Sequence, residues 1–178
     1  AGLLAGCGGG SRPTGIRTAE TPADDVAEYQ PRWRSHTVDS TQYRKVFLAG
    51  TIDMGRSADW QAALVARFRD SIGGRWLFFN PRRREFHASP AEMEYQVAWE
   101  LAHLEAADLI VMNLLGDSRS PISLLEMGLY ARSGKLFVAC SPDYYRYDNV
   151  RITCRRYGVP LYDSLTALLD DLPQQSDE

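Results

Sequence analysis

From Lys45 onward the chain alternates short, wholly apolar runs with longer stretches whose apolar residues recur every three or four positions. Val46 to Ala49 is continuously apolar and stops at Gly50, as a buried strand entering a turn does. Trp60, Leu64, Phe68 and Ile72 then fall four residues apart and end at Gly73-Gly74, which predicts an amphipathic helix. Trp76 to Phe79 is a second short strand, stopped by Asn80-Pro81. Ser89-Pro90 opens a helix whose apolar face is read as Met93, Val97, Leu101 and Leu104. Leu109 to Leu115 is the third strand, followed by a helix to Gly134. Leu136 to Cys140 is the fourth, and a polar loop with two tyrosines leads to a helix over Asn149 to Tyr157. Pro160 to Tyr162 is a short fifth strand, and Ser164 to Leu172 a closing helix.

Strict alternation of strand and helix, with strands apolar on both faces, predicts a parallel sheet covered on both sides. Right-handed crossovers then favour a five-stranded, doubly wound, flavodoxin-like α/β sheet. Residues 8–43 are rich in Gly, Pro, Thr, Asp and Arg with no sustained periodicity, so 1–43 reads as a disordered leader and linker. The folded domain is expected over 44–173, with a frayed acidic tail over 174–178.

Composition narrows the function classes. With 44% apolar and 24% charged residues, the 178-residue chain can bury a core. A net charge of -3 argues against a surface that coats a nucleic-acid polymer and favours a small ligand. No apolar run reaches the roughly 18 to 20 residues a membrane span needs. Cys7, Cys140 and Cys154 form no Cys-x-x-Cys pair and are too few for a zinc site, so no metal is indicated. Cys140 and Cys154 read as reduced thiols in or near the core of a cytoplasmic protein. Leu3-Leu4-Ala5-Gly6-Cys7 has the form of a bacterial lipoprotein processing site, so the alternative is a lipid anchor at Cys7; a chance match in a GC-rich leader gives the same letters.

The candidate chemistry sits where the third strand turns into its helix, in Leu115-Gly116-Asp117-Ser118-Arg119-Ser120-Pro121-Ile122-Ser123-Leu124-Leu125-Glu126-Met127-Gly128. In open α/β sheets, strand carboxyl ends and helix amino ends converge on the ligand. Glu126 then faces the cleft as a carboxylate available to a ligand. The competing reading is a capping box, because Ser123 and Glu126 have the Ser-x-x-Glu spacing. The loops after Gly50, Phe79, Leu114 and Cys140 share one rim and bring Gly50, Thr51, Asp53, Asn80, Arg82, Asp117, Tyr144, Tyr145 and Asn149 toward the same crevice. Asp117 is the nearest acid that could protonate a leaving group; a loop or capping role is its alternative. Gln96, Glu100 and His103 share one helix face, either a wetted side or a contact with ligand.

Several stretches carry a family resemblance from Lys45 to about Leu172. They are Val46-Phe47-Leu48-Ala49-Gly50, Phe79-Asn80-Pro81-Arg82-Arg83, Gln96-Val97-Ala98-Trp99-Glu100, Ala107-Asp108-Leu109-Ile110, Pro121-Ile122-Ser123-Leu124-Leu125-Glu126-Met127-Gly128 and Tyr145-Arg146-Tyr147-Asp148-Asn149-Val150. The chain resembles the nucleoside 2-deoxyribosyltransferases, and more narrowly their divergent branch. That resemblance implies the flavodoxin-like fold and transfer of a 2-deoxyribosyl group between nucleobases. Glu126 matches the family's nucleophile, Asp117 is placed in the turn that orients sugar or base, and Glu100 lies on the helix that contacts the base. It further implies nucleoside and free-base ligands, no cofactor or metal, and a homo-oligomer whose subunits complete each other's sites. Ile122-Ser123 replaces the Gly-Thr-like pair that usually precedes the glutamate, which puts the sugar contacts in question.

Two features widen the range. Arg82-Arg83-Arg84 either meets a 5′-phosphate or is a solvated charged loop. Tyr144, Tyr145 and Tyr147, with Arg146 and Asn149, either stack on a base or seal a subunit interface. Three readings follow: a deoxyribosyltransferase, a nucleoside or nucleoside 5′-monophosphate N-glycosidase, and a non-catalytic nucleotide-binding module.

Overall fold

A computed structural model describes residues 25–85 and 87–172. Cys7, most of the expected leader and the tail over 174–178 lie outside the described residues. Among the described residues seven strands form one sheet: β1 (Val26–Gln30), β2 (Trp33–Arg34), β3 (Arg44–Gly50), β4 (Trp76–Phe79), β5 (Leu109–Leu114), β6 (Leu136–Cys140) and β7 (Leu161–Tyr162). The α-helices of the described residues are α1 (Trp60–Ser71), α2 (Pro90–Ala106), α3 (Pro121–Tyr130), α4 (Tyr147–Tyr157) and, after the last strand, α5 (Leu165–Asp171).

The sheet order is β2-β1-β4-β3-β5-β6-β7, and every pairing except β1 with β2 is parallel. The five strands expected from the sequence therefore lie in the flavodoxin order, with the first and third side by side at the switch point. The fold class stands as a doubly wound α/β sheet, but with two strands more than expected.

Those two strands correct the reading of a linker through residue 43. β1 runs parallel beside β4, with Val26 opposite Trp76 and Tyr29 opposite Phe79, and β2 folds back on it through a tight turn in which Arg32 has φ 62°. Val26, Ala27 and Tyr29 are buried because β4 needs a neighbour on its outer edge, and this hairpin supplies it.

Central strands are buried on both faces. Phe47 and Ala49 of β3 join Ile110, Met112 and Leu114 of β5 in the core on the α2, α3 and α4 side. Val46 and Leu48 alternate to the other side, with Val111, Phe68, Leu64 and Leu168 from under α1 and α5. Asp108 accepts from Lys45 N at 2.8 Å and ties β5 to β3 at the far end of the sheet from the switch point.

Gly50 is where the site begins. Its φ is 121°, and a Cβ there would stand 2.2 Å from Asn113 O. Glycine is required because β3 and β5 approach this closely, so the backbone constraint, not ligand access, accounts for the residue.

Side chains of Asp59, Ser89 and Ser164 cap α1, α2 and α5, whereas α3 starts without a side-chain cap at Ser120. Because α3 starts at Pro121, Glu126 lies in its second turn and takes no part in a capping box with Ser123.

The face of α2 differs from its periodic reading. Leu104 is buried, but Met93, Val97 and Leu101 are exposed. Trp99 packs on Phe47 instead, and His103 lies between Trp99 and Phe79 at 3.9 and 4.5 Å between ring centres. Among the described residues no helix is long and apolar enough to cross a membrane, and no cluster of His, Cys, Asp and Glu could hold a metal. Cys140 and Cys154 are buried and unpaired, and burial pushes their thiols up to about 12 and about 11.

Candidate functional site

A cavity of about 680 Å³ opens at the carboxyl ends of β3, β4 and β5, the switch point of the sheet. Three walls form it: the loop after β3 (Ile52 to Arg56), the loop after β4 (Pro81 to Arg84), and facing stretches of α2 (Met93, Gln96, Val97, Glu100) and α3 (Ser120 to Ser123, Glu126).

The first wall is held in a strained shape. Asp53 and Met54 have φ 49° and 53°, followed by Gly55 at 81°, and Met54 is 85% exposed at the mouth. Such backbone persists only where its surroundings fix it. A chain of hydroxyls does so: Thr51 Oγ1 and Ser120 Oγ lie 2.7 Å apart, Ser120 Oγ and Ser118 Oγ 2.8 Å, and Ser118 donates to Asp53 Oδ1 at 2.8 Å. Thr51 Oγ1 also accepts from Leu115 N at 3.1 Å. The loops after β3 and β5 are thereby locked together, with Ser120 itself at φ 41°.

Glu126 is 7% exposed, and its carboxylate accepts no hydrogen bond from the described residues. Burial raises its pKa to about 8, with the negative charge of Glu100 as the second cause. Glu100 is half-buried and is also raised, by burial, against the pull of Gln96. Gln96 Nε2 donates to Pro81 O at 3.1 Å and to Glu100 Oε1 at 2.7 Å, which fixes the amide's orientation. Its Oε1 is buried and has no partner among the described residues. A buried carboxylate without donors, facing a second one across a cavity, is costly to folding and useful to chemistry.

Only part of the expected constellation meets here. Gly50, Asp53, Arg82, Glu100 and Glu126 line the cavity. Thr51 and Asn80 do not. Both are buried beneath it, Thr51 in the hydroxyl chain and Asn80 between Glu28 Oε1 (2.7 Å) and Arg82 N (3.0 Å). Arg82 is a wall, not a free cation: Gln61 Oε1, Ser57 O, Ser57 Oγ and Ala58 O take its hydrogens, and Asp59 pairs with it at 3.5 Å.

Asp117 points away from the expected role, since it is exposed and outside the lining. Ser118 and Ser120, which follow it, are turned inward and anchor the loop, which leaves Asp117 on the outside. Tyr145 is half exposed, and Tyr144 is buried, donating to Arg119 O. Asn149 lines a separate depression of about 310 Å³ between α3 and α4. The tyrosine loop thus flanks α3 on its other side and does not meet Glu126 in this cavity.

Residues that sequence reasoning missed include Ser118, Ser120, Arg56 and the α2 residues Met93 and Val97. Their only sequence signals were loop position and, for the last two, a helical period that suggested the core.

A family model described as "Nucleoside 2-deoxyribosyltransferase like" matches residues 43–144, a span that holds all three walls of the cavity. Comparison with the curated proteins finds no match. Among solved structures the chain is similar to a conserved protein from Enterococcus faecalis V583. The identity is 15% and the TM-score 0.54, over 75% of this chain and 99% of that one, a likeness in fold alone.

Proposed function

The chain belongs to the nucleoside 2-deoxyribosyltransferase-like family, and on that footing we propose that it transfers a 2-deoxyribosyl group between nucleobases through Glu126. The observation that carries this reading is the Glu126 carboxylate itself, buried in a ligand-sized cavity, free of hydrogen bonds from the described residues and beside a second acid.

The reactive form carries its proton on Glu100 and leaves Glu126 ionised, in competition with the protonated Glu126 that burial favours. The Glu126 oxygen attacks C1′ as the C1′–N bond breaks, and the electron pair leaves with the base nitrogen, which takes the Glu100 proton. A second base then attacks C1′ through a ring nitrogen, freeing the Glu126 carboxylate and returning a proton to Glu100. Glu100 replaces Asp117 as the acid in this account, because it lines the cavity and Asp117 does not. Gln96 Oε1, lacking a partner, is an acceptor for a donor edge of the base.

The test is chromatographic. The chain incubated with a 2′-deoxynucleoside and a second free base is expected to form the second nucleoside. Free base without exchange would show water taking the sugar, a hydrolase, and no turnover across a panel of deoxynucleosides would leave a binding module.

A homo-oligomer is supported by the stripes Met93, Val97, Leu101 on α2 and Ile122, Leu125, Leu129 on α3, which are 42 to 61% exposed. Sedimentation velocity is expected to give a multiple of the 20.0 kDa chain, and Leu125→Asp to dissociate it. A wild-type monomer at all concentrations would contradict this.

A further inference from the structure

The cavity's lining carries more positive charge than its chemistry uses. Arg82 is consumed by carbonyls and Asp59, and Arg83 is paired with Glu92 at 2.5 Å. Arg56 and Arg84 are different. Arg56 uses Nε to donate to Asp53 O at 3.2 Å, and Arg84 uses Nε to donate to Gln30 Oε1 at 3.2 Å. Neither is ion-paired among the described residues, and the terminal nitrogens of both are left for a ligand. The one carboxylate in the wall of Arg56, Asp53, is held by Ser118; the other two that line the cavity, Glu100 and Glu126, stand on α2 and α3.

Arg84 is also aimed. Its guanidinium lies 3.7 Å from the centre of the Trp33 ring, on the hairpin that the structure adds at the sheet edge. The hairpin is fastened in turn: Arg32 at its tip pairs with Glu92 at 2.7 Å and stacks on Tyr95 at 4.0 Å, and Glu92 also holds Arg83. This network runs from β2 through α2 to the loop after β4. It spends two arginines and an aromatic platform on fixing a third arginine at the cavity. Planar guanidinium forks held in place suit a phosphate group, which they can grip through two hydrogen bonds each.

We propose that Arg56 and Arg84 form an anion subsite of this cavity, and that its ligand is a phosphate monoester of the sugar, a 2-deoxyribonucleoside 5′-monophosphate. This rests on the reading of the cavity as an N-glycoside site and adds the substrate class. The hairpin of β1 and β2, outside the residues that the family model matches, is then a specificity element, with Trp33 a positioning residue.

Calorimetric titration of the full chain tests it, with one deoxynucleoside, its 5′-monophosphate and inorganic phosphate as probes. The monophosphate is expected to bind at least about tenfold more tightly than the nucleoside, as charge-assisted hydrogen bonds of ordinary strength imply. Inorganic phosphate should compete with the monophosphate and not with the nucleoside. Arg84→Gln and Arg56→Gln should each narrow the affinity ratio toward one, with Arg84→Lys and Trp33→Ala intermediate; circular dichroism confirms that each variant is folded. Equal affinities, a ratio unmoved by the substitutions, or free phosphate binding alongside the monophosphate would overturn the subsite. Turnover of nucleosides without phosphate preference would sink the subsite alone, and no binding of either substrate would remove it together with the reading it rests on.

Discussion

Glu126→Gln in the full chain is expected to lower base exchange by about 10⁴-fold or more while leaving the fold intact, because the loss is that of a nucleophile. The glutamine fills the same volume on α3 and cannot bond covalently to C1′ as a carboxylate does. No neighbour can substitute. Glu100 stands on α2 and is engaged by Gln96, and Asp53 is held by Ser118 on the far side of the hydroxyl chain. Substrate binding should survive, since the change removes one charge from a site whose other contacts come from separate walls. A variant that retained exchange within about tenfold of wild type would place the nucleophile elsewhere.

The same substitution is expected to stabilise the protein, increasingly so as pH rises above 4.5. Burial, with help from Glu100, holds the folded Glu126 carboxyl at about 8 against an ordinary value of 4.5. A group whose folded pKa is raised contributes its full stability below the unfolded value, and that stability is lost as pH rises through the folded value. Between pH 4.5 and about 8 wild type therefore loses ground to glutamine, which never ionises. At about 1.4 kcal/mol per pH unit the gap should grow to the order of 5 kcal/mol. For a domain of this size that is a melting-temperature difference of about 10 °C at pH 8.5, vanishing near pH 4.5. Equal melting temperatures at both pH values would mean that Glu126 is not held in a desolvated site. The activity and stability effects thus have opposite signs, as expected where a carboxylate is kept for chemistry at the expense of folding.

How much of this was legible in the sequence follows from the range of each signal. β3 and β5 were plain because central parallel strands are apolar on both faces, and that is a local property. β1 was not. Its five residues alternate only once or twice, and what makes them a strand is β4, some fifty residues away in the chain. A short edge strand has no signature beyond the partner it meets.

Glu126 was legible because strand, turn and helix place it in sequence as they do in space. Asp117 lies in that same turn and was misplaced, because the direction of a turn residue depends on which neighbours are anchored. Here Ser118 and Ser120 point inward, and nothing in their spacing announced it. On α2 the periodicity was correct and the burial was wrong: Met93, Val97 and Leu101 stay exposed, the first two in the wall of the cavity, while Gln96, Trp99, Glu100 and His103 turn toward sheet and cavity. A helix that carries part of a site breaks the rule that its apolar side is its buried side. Likewise Arg84 was one of three consecutive arginines in the sequence, and only the hairpin separates it from two that are already spent.

The central claim is that Glu126 becomes covalently joined to the sugar. Its most direct test is mass spectrometry of the intact protein quenched during turnover of a deoxynucleoside, followed by peptide mapping. The account predicts a single added deoxyribosyl group on the peptide that contains Glu126, discharged when a second base is supplied and absent from Glu126→Gln. Turnover by wild type with no adduct at any quench time, or with the sugar on a peptide from another wall of the cavity, would contradict it.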